Sequence, residues 1–284
     1  MKAINLLKQL TKVPAVSGFE RELGASKLLA SFFPFLNPKI DELGNVIIKV
    51  GQGKKKILIE AHMDEVGVIK TKNGFVKIGS IRDDNIRIKD VELSAKIKDI
   101  GYFKRRFKKE GFMIRSPALD NKVGCTALIM AIEEFNEMQS SVYFVFTVQE
   151  ETTKKGIKEI VKKLQPNIIV SIDSAYAQPY KNDRWEIPVC GKGPAIQKQG
   201  EGFIINNSEV KLVEKIAKKE NIPYQFEVVD SDKGGTNLSY LETGARALQI
   251  NIPVRYQHTA LSEANLKDIK NTSKLITKII EELD

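Results

Sequence analysis

The chain has 284 residues, of which 42% are hydrophobic and 29% charged, and a formal net charge of +9 at pH 7. That length and apolar share support one large domain, or one domain carrying a smaller one, around a buried core; they exclude a disordered chain. No stretch reaches the ~18 apolar residues of a membrane span, the basic residues are interspersed with acids and carry no nucleic-acid-binding motif, and Cys125 and Cys190 do not suggest a disulfide framework, so a cytoplasmic protein with neither membrane nor nucleic-acid partners is expected.

The N-terminal segment MKAINLLKQLTKVP reads as an amphipathic helix. Lys8, Gln9 and Lys12 interrupt its apolar run, and no small-residue cleavage site follows as in a signal peptide. Residues 18–33 read as a second helix. Residues 45–50 and 56–61 read as strands joined by the turn Gly51-Gln52-Gly53. From 68 to 112 the chain carries short β-like runs with turn signals, Asn73-Gly74 among them, which point to a small β-rich insertion.

A helix over 121–137 follows, with Val123, Ala127, Leu128, Ala131, Ile132 and Phe135 on one face. Residues 142–148 and 167–172 are continuous apolar runs of buried-strand type, separated by a helix over 156–164. Gly191-Lys192-Gly193-Pro194 is too short for a phosphate loop and reads as a turn into a strand. A helix over 209–219, strands over 224–229 and 247–252, and a last helix over 263–283 with Ser262 as its N-cap complete the chain. Helices alternating with short apolar strands predict an α/β domain built from 1–67 and 113–284, interrupted by the β-rich segment 68–112.

Chemistry-bearing residues fall at the ends of these predicted strands. The chain has only two histidines, His62 and His258, and each ends an apolar run. A strand's C-terminal end is where open α/β sheets place ligands, although a single histidine there is more often structural. Asp64 follows in HMDE; if the chain stays extended, it points the same way as His62 and can fix its ring tautomer. Asp120 precedes a helix, where an N-cap is the simpler reading. Glu150 and Glu151 follow the strand VYFVFTV as adjacent carboxylates that repel each other unless a cation or solvent lies near. Asp173 ends NIIVSI, where burial without a partner is costly. Taken together, two histidines and several acids brought to one sheet edge suit divalent zinc, cobalt or manganese, in a set large enough for two ions with one bridging carboxylate. No G-x-S-x-G is present, and if both histidines bind metal none remains to activate a serine or cysteine.

The strings VSGFERE, IEAHMDEVG, SPALDNKVG, VQEE, SIDSA, CGKGPAI, KGGTN and PVRYQHT occur in order along the whole chain. They resemble the signature blocks of the tetrahedral-aminopeptidase family, which includes glutamyl aminopeptidases and some relatives labelled endoglucanase. The resemblance implies a mixed-sheet metallopeptidase catalytic domain with helices on both faces, interrupted by a β-barrel-like domain between HMDE and ALDN. It implies two divalent ions per chain, zinc or cobalt, short peptides as substrate, and a homo-oligomer. It further implies that His62 binds one metal and Asp64 orients it, that Asp120 bridges both metals, and that Glu150 is the general base and acid. Glu151 and His258 would complete one metal site and Asp173 the other.

Three departures stand out. Asp120 follows His62 by 58 positions (120 − 62), about half the family's usual interval. TTKKG follows QEE in place of a Val-Gly pair, and Asn237 follows KGGT in place of Asp. Another metal-dependent hydrolase on this scaffold, a deacylase or carbohydrate-active enzyme, and a non-catalytic assembly or binding member stay open as alternatives.

Overall fold

The computed structural model describes residues 2–81, 86–134, 138–200, 203–230 and 244–284. The amphipathic start forms α1 (Ala3–Lys12), which buries Ala3, Leu6, Leu7 and Leu10 along one helical face. The single helix expected over 18–33 is instead two, α2 (Glu20–Leu23) and α3 (Ala25–Ser31), split at Gly24 with φ of 103°. Glycine lacks the Cβ that opposes a left-handed backbone, so it ends one helix and lets the next leave at a new angle.

β1 (Lys39–Ile40), β2 (Val46–Val50) and β3 (Lys56–His62) enter the main sheet. The chain then leaves it. β4 (Gly67–Thr71), β5 (Gly74–Ile78), β6 (Val91–Leu93) and β7 (Ile100–Phe103) form a separate antiparallel sheet in the order β5-β4-β7-β6. Asn73-Gly74 sits at the β4–β5 hairpin, and Val66, Val68, Ile81, Val91 and Phe103 cluster beneath this sheet. β8 (Lys108–Glu110) and β9 (Met113–Ser116) form a hairpin that returns to the main sheet.

α4 (Leu119–Glu133) follows and buries Val123, Ala127, Leu128, Ala131 and Ile132; Phe135 lies outside the described residues. The later elements are β10 (Ser141–Thr147), α5 (Lys155–Leu164), β11 (Ile168–Tyr176), β12 (Ala195–Gly200), β13 (Phe203–Ile204), α6 (Asn207–Lys219), β14 (Gln225–Val228), β15 (Arg246–Arg255), β16 (Ser262–Asn265) and α7 (Leu266–Leu283). The last helix thus starts later than its sequence pattern predicts. Residues 262–265 pair with β15 on one side and β9 on the other, and the ladder bonds win over helix. Asn265, not Ser262, caps α7 by accepting from the Lys267 amide at 2.9 Å, while the Ser262 hydroxyl donates to the Tyr256 carbonyl.

The main sheet runs β1-β2-β10-β3-β11-β15-β16-β9-β8, with β12 joining β15 to β14 and β13. It is mixed: β10, β3, β11 and β15 are mutually parallel, while β2, β12 and β16 pair with this block antiparallel. Helices cover both faces. Ile57, Ile59 and Ala61 point into the core shared with α1, α4 and α7. Leu58 points the other way, against Ile157, Ile160 and Val161 of α5. Strand alternation then puts Glu60 and His62 on the Leu58 side. Because the four central strands are parallel, their C-terminal ends share one edge, and the polar residues collect there. Among the described residues, no helix is long and apolar enough to cross a membrane.

Candidate metal centre

Five chain segments converge at that edge. β3 ends on His62, whose register partner Thr147 lies three residues before Glu150. β11 carries Asp173, and the turn after β15 carries His258. Asp120 comes from the start of α4. There the backbone of Asp120 and Asn121 is not helical, the bond between them is cis, and the N-cap position belongs to Ala118. Asp120 therefore does not cap the helix.

Its neighbours anchor that irregular turn. Asn121 donates to the Ile172 carbonyl of β11 at 2.8 Å and accepts from the Gly124 amide at 3.0 Å. A Cβ on Gly124 would fall 2.3 Å from the Asn121 carboxamide oxygen, so only glycine permits this contact. The buried Lys122 ammonium donates to the Met63 carbonyl, between His62 and Asp64.

The Asp120 carboxylate spans the two imidazoles. Its Oδ1 lies 3.4 Å from His62 Nε2 and its Oδ2 lies 3.2 Å from His258 Nε2. Asp173 Oδ1 is 3.2 Å from His62 Nε2, and Glu151 Oε2 is 3.2 Å from His258 Nε2. Glu150 Oε2 stands 3.9 Å from His62 Nε2. All six side chains, and Asp64 beside them, are thus brought into one cluster.

Asp64 holds more than its histidine. Its Oδ1 is 3.4 Å from His62 Nδ1, long for a hydrogen bond. Its shorter contacts are with backbone: Oδ1 accepts from the Glu150 amide and Oδ2 from the Glu151 amide, each at 3.0 Å. Glu20 adds a third, accepting from the Gln149 amide at 2.8 Å. Two buried carboxylates therefore hold three successive N–H groups, and Gln149 takes a left-handed φ of 60° between them. Sequence reasoning gave Glu20 no role, although it lies within the VSGFERE block; an acid with no apolar or metal-ligand spacing leaves no other signal.

Three further contacts were also not foreseen. The Ser80 carbonyl, just beyond β5, accepts from His258 Nδ1 at 2.9 Å, so the small sheet contributes directly to the centre. Within TTKKG, Thr152 meets Ser17 at 2.8 Å, and Lys154 Nζ lies 3.8 Å from Glu150 Oε1. The departure in this segment thus places a cation beside Glu150. The KGGTN block, including Asn237, lies outside the described residues.

The electrostatics follow from packing five acids and two histidines out of water. Burial, with Asp173 and Glu151 near, holds Glu150 well above the usual carboxylate range. Burial likewise pushes Glu151 up, and Asp173 to about 7. Burial opposes the charged form of Asp120 and Asp64 too, but the neighbouring histidines outweigh it and keep both carboxylates low. Burial disfavours both imidazolium ions, yet Asp173 at His62 and Glu151 at His258, each joined by Asp120, hold them well above the ordinary histidine value. Such a cluster demands positive charge, and protons and metal ions compete for that position.

A metal pair fits these residues. His62, Asp120 and Asp173 offer ligand atoms that all lie within 4.8 Å of one another, and so do Asp120, Glu151 and His258. Nitrogen and carboxylate donors of this kind suit zinc, cobalt and manganese. Glu150 Oε1 and Glu151 Oε1 are buried yet accept no hydrogen bond, as expected where a cation or substrate completes the site.

A mixed α/β sheet whose parallel strand ends collect two imidazole–carboxylate triads around one shared aspartate defines a class of metal-hydrolase scaffold. Within it, this chain belongs to the M42 glutamyl aminopeptidase family, whose model matches residues 87–275. A protein of Acetivibrio thermocellus with a provisional aminopeptidase assignment is 31% identical over 325 aligned positions, covering 97% of this chain and 98% of its own. The lysyl aminopeptidase of Pyrococcus furiosus is 27% identical, over 98% of this chain and 96% of its own. Among solved structures, the TET1 peptidase of Pyrococcus horikoshii superposes with a TM-score of 0.85 at 27% identity, covering 98% and 99% of the two chains. That protein can assemble into a tetrahedron or a large octahedral shell. The family resemblance carried by HMDE, ALDN and QEE is borne out, as is the mixed α/β fold.

Proposed function

We propose that the chain is an aminopeptidase that removes N-terminal residues from short peptides and uses two divalent metal ions, zinc or cobalt, at this centre. The observation that carries the reading is Asp120 lying between two triads, 3.4 Å from one histidine and 3.2 Å from the other. His62, Asp120 and Asp173 would hold one ion; Asp120, Glu151 and His258 would hold the other. Bound ions would lower the pKa of water and polarise the scissile carbonyl.

The chain's own residues then have separate tasks. Glu150, placed at the cluster but outside both triads, takes a proton from the attacking water and returns it to the leaving amine nitrogen. Asp64 and Glu20 fix the backbone that carries Glu150, and Lys154 faces its second oxygen. Asp64 also keeps the His62 ring oriented. Segment 68–112 acts as a short inserted domain within a catalytic domain of 1–67 and 113–284, and its Ser80 carbonyl orients His258. The P. horikoshii assembly and the two free cysteines support a cytoplasmic homo-oligomer.

The test is metal content together with hydrolysis of amino-acid p-nitroanilides before and after chelation. About two metals per chain, with activity lost on chelation and restored by Zn²⁺ or Co²⁺, is the expected result. Bound metal without cleavage of any aminoacyl substrate would refute the reading and favour another hydrolase or a binding module.

A further inference from the structure

A cavity of about 330 Å³ opens against His258, between the ends of β11 and β15. Tyr176, Ala177, Tyr180, Val254, Tyr256 and Gln257 contribute to its walls. Three tyrosines thus meet at one pocket beside a residue of the metal cluster. The walls are braced: the Tyr176 and Tyr180 rings stack with centroids 5.3 Å apart, and Tyr180 stacks in turn on Trp185 at 5.7 Å. The Gln257 amide nitrogen is turned away to the Ser174 hydroxyl. Apart from His258, no lysine, arginine, histidine, aspartate or glutamate lines the cavity among the described residues.

A second cavity, of about 580 Å³, shares Tyr256 and Thr259 with the first but also carries charged side chains, Glu263 among them, beside Phe107 and Leu261. Arg87, Arg106, Lys108 and Arg115 line it. It does not reach His258, and its cations already have partners: Arg87 with Asp90 at 2.9 Å, Arg115 with Glu263 at 2.6 Å, and Lys108 with Glu110 at 2.6 Å. An acidic side chain placed there would have to displace these pairs, and would sit away from the reacting centre.

We propose that the aromatic pocket beside His258 receives the side chain of the substrate's first residue and selects neutral, apolar or aromatic residues over charged ones. The proposal rests on the aminopeptidase reading, which puts the N-terminal residue next to the metal cluster. Among the described residues, a charged side chain entering this pocket sheds water and meets no counter-ion on its walls other than His258, which the metal-loaded protein uses as a ligand, whereas a leucine, methionine or phenylalanine side chain exchanges water for aromatic surface. The braced rings make the pocket pre-formed, so little ordering is needed on binding.

Two measurements test this on the metal-loaded protein. Trp185 is the only tryptophan and touches the pocket wall through Tyr180, so its fluorescence reports occupancy by the product-like ligands L-phenylalanine, L-leucine, L-lysine and L-glutamate. In parallel, kcat/KM is measured for the four corresponding p-nitroanilides. Phenylalanine and leucine should bind, and their derivatives should be cleaved, at least about tenfold better than the charged pair. Tyr180→Asp should shift the preference toward lysine at unchanged metal content, while Tyr180→Phe should keep the original order. If Tyr180→Asp does not fold, Tyr256→Glu on the half-exposed tyrosine should produce the same shift.

Charged residues bound and cleaved as well as apolar ones would overturn the pocket assignment while leaving the aminopeptidase reading intact. Selective binding of the apolar ligands with no hydrolysis of any p-nitroanilide would support the pocket's selectivity and sink the aminopeptidase reading. Neither binding nor cleavage of any of the four would overturn both.

Discussion

The two halves of the candidate metal centre are built in different ways. His62 closes a central strand, its side chain is 2% exposed, and Asp64, Asp120 and Asp173 surround it. His258 sits on a turn with φ of 58°, its side chain is 17% exposed, and its outer nitrogen leans on the Ser80 carbonyl at the end of the small sheet. One half is held by parallel ladder bonds on both sides of its strand, the other by a loop and a single backbone contact from the insertion. The contrast teaches that a site shared by one aspartate can combine a preorganised half with a more adjustable one. The adjustable half also borders the tyrosine-lined cavity.

Glu150 tests the centre where the halves meet. Glu150→Gln should lower kcat by about 10²–10⁴-fold while both metals stay bound. Turnover kinetics with elemental analysis would check this, and an active variant would remove Glu150 as the base. The comparison itself is broken or sharpened by stepwise chelation. The ion at His258 should leave first, at a chelator concentration about 10–100-fold below that needed for the ion at His62. His258→Ala should leave the slower-leaving ion in place, and His62→Ala the faster. Simultaneous loss of both ions in the unmodified protein would show that the halves do not differ as their scaffolds suggest.

The smallest expected effect lies behind the His62 half. Glu227 on β14 is buried; Asn251 and Gln197 donate to it, and burial pushes its pKa up to about 7 from an ordinary 4.5. The folded chain therefore keeps this proton where the unfolded chain has lost it. Its contribution to stability is fully present below pH 4.5 and is lost as pH rises toward about 7. Glu227→Gln should flatten that part of the stability–pH curve in urea titrations; an unchanged slope would place the proton elsewhere. Among the described residues, the acids in ion-pair contact with His258 are Glu151 and Asp120.

Much of the architecture was legible in the order of residues. Apolar runs ending in His62, Glu150 and Asp173 marked the strands that meet at the sheet edge, because a buried parallel strand has no polar face to hide its pattern. The Asn73-Gly74 hairpin and the β-rich character of the segment after β3 were visible through turn chemistry. Less legible were elements whose conformation depends on distant partners. Residues 263–265 fit the periodicity of the last helix, yet Ala264 pairs with both Val254 and Ile114. Gly24 breaks what composition alone presents as one helix.

At the centre itself, local sequence singled out the groups with metal-binding chemistry, since residue type and strand-end position are properties of short segments. It did not reveal that Asp64 spends its best hydrogen bonds on the Glu150 and Glu151 amides, or that Glu20 secures the amide before them. Nor could it place Ser80 beneath His258, 178 positions away. Periodicity and residue chemistry are written into neighbouring positions, so the sequence by itself determined the central strands, most of the helices and the candidate ligands. Distances between groups, depth of burial and the charge each group carries depend on segments brought together by packing, and these only the tertiary structure decided.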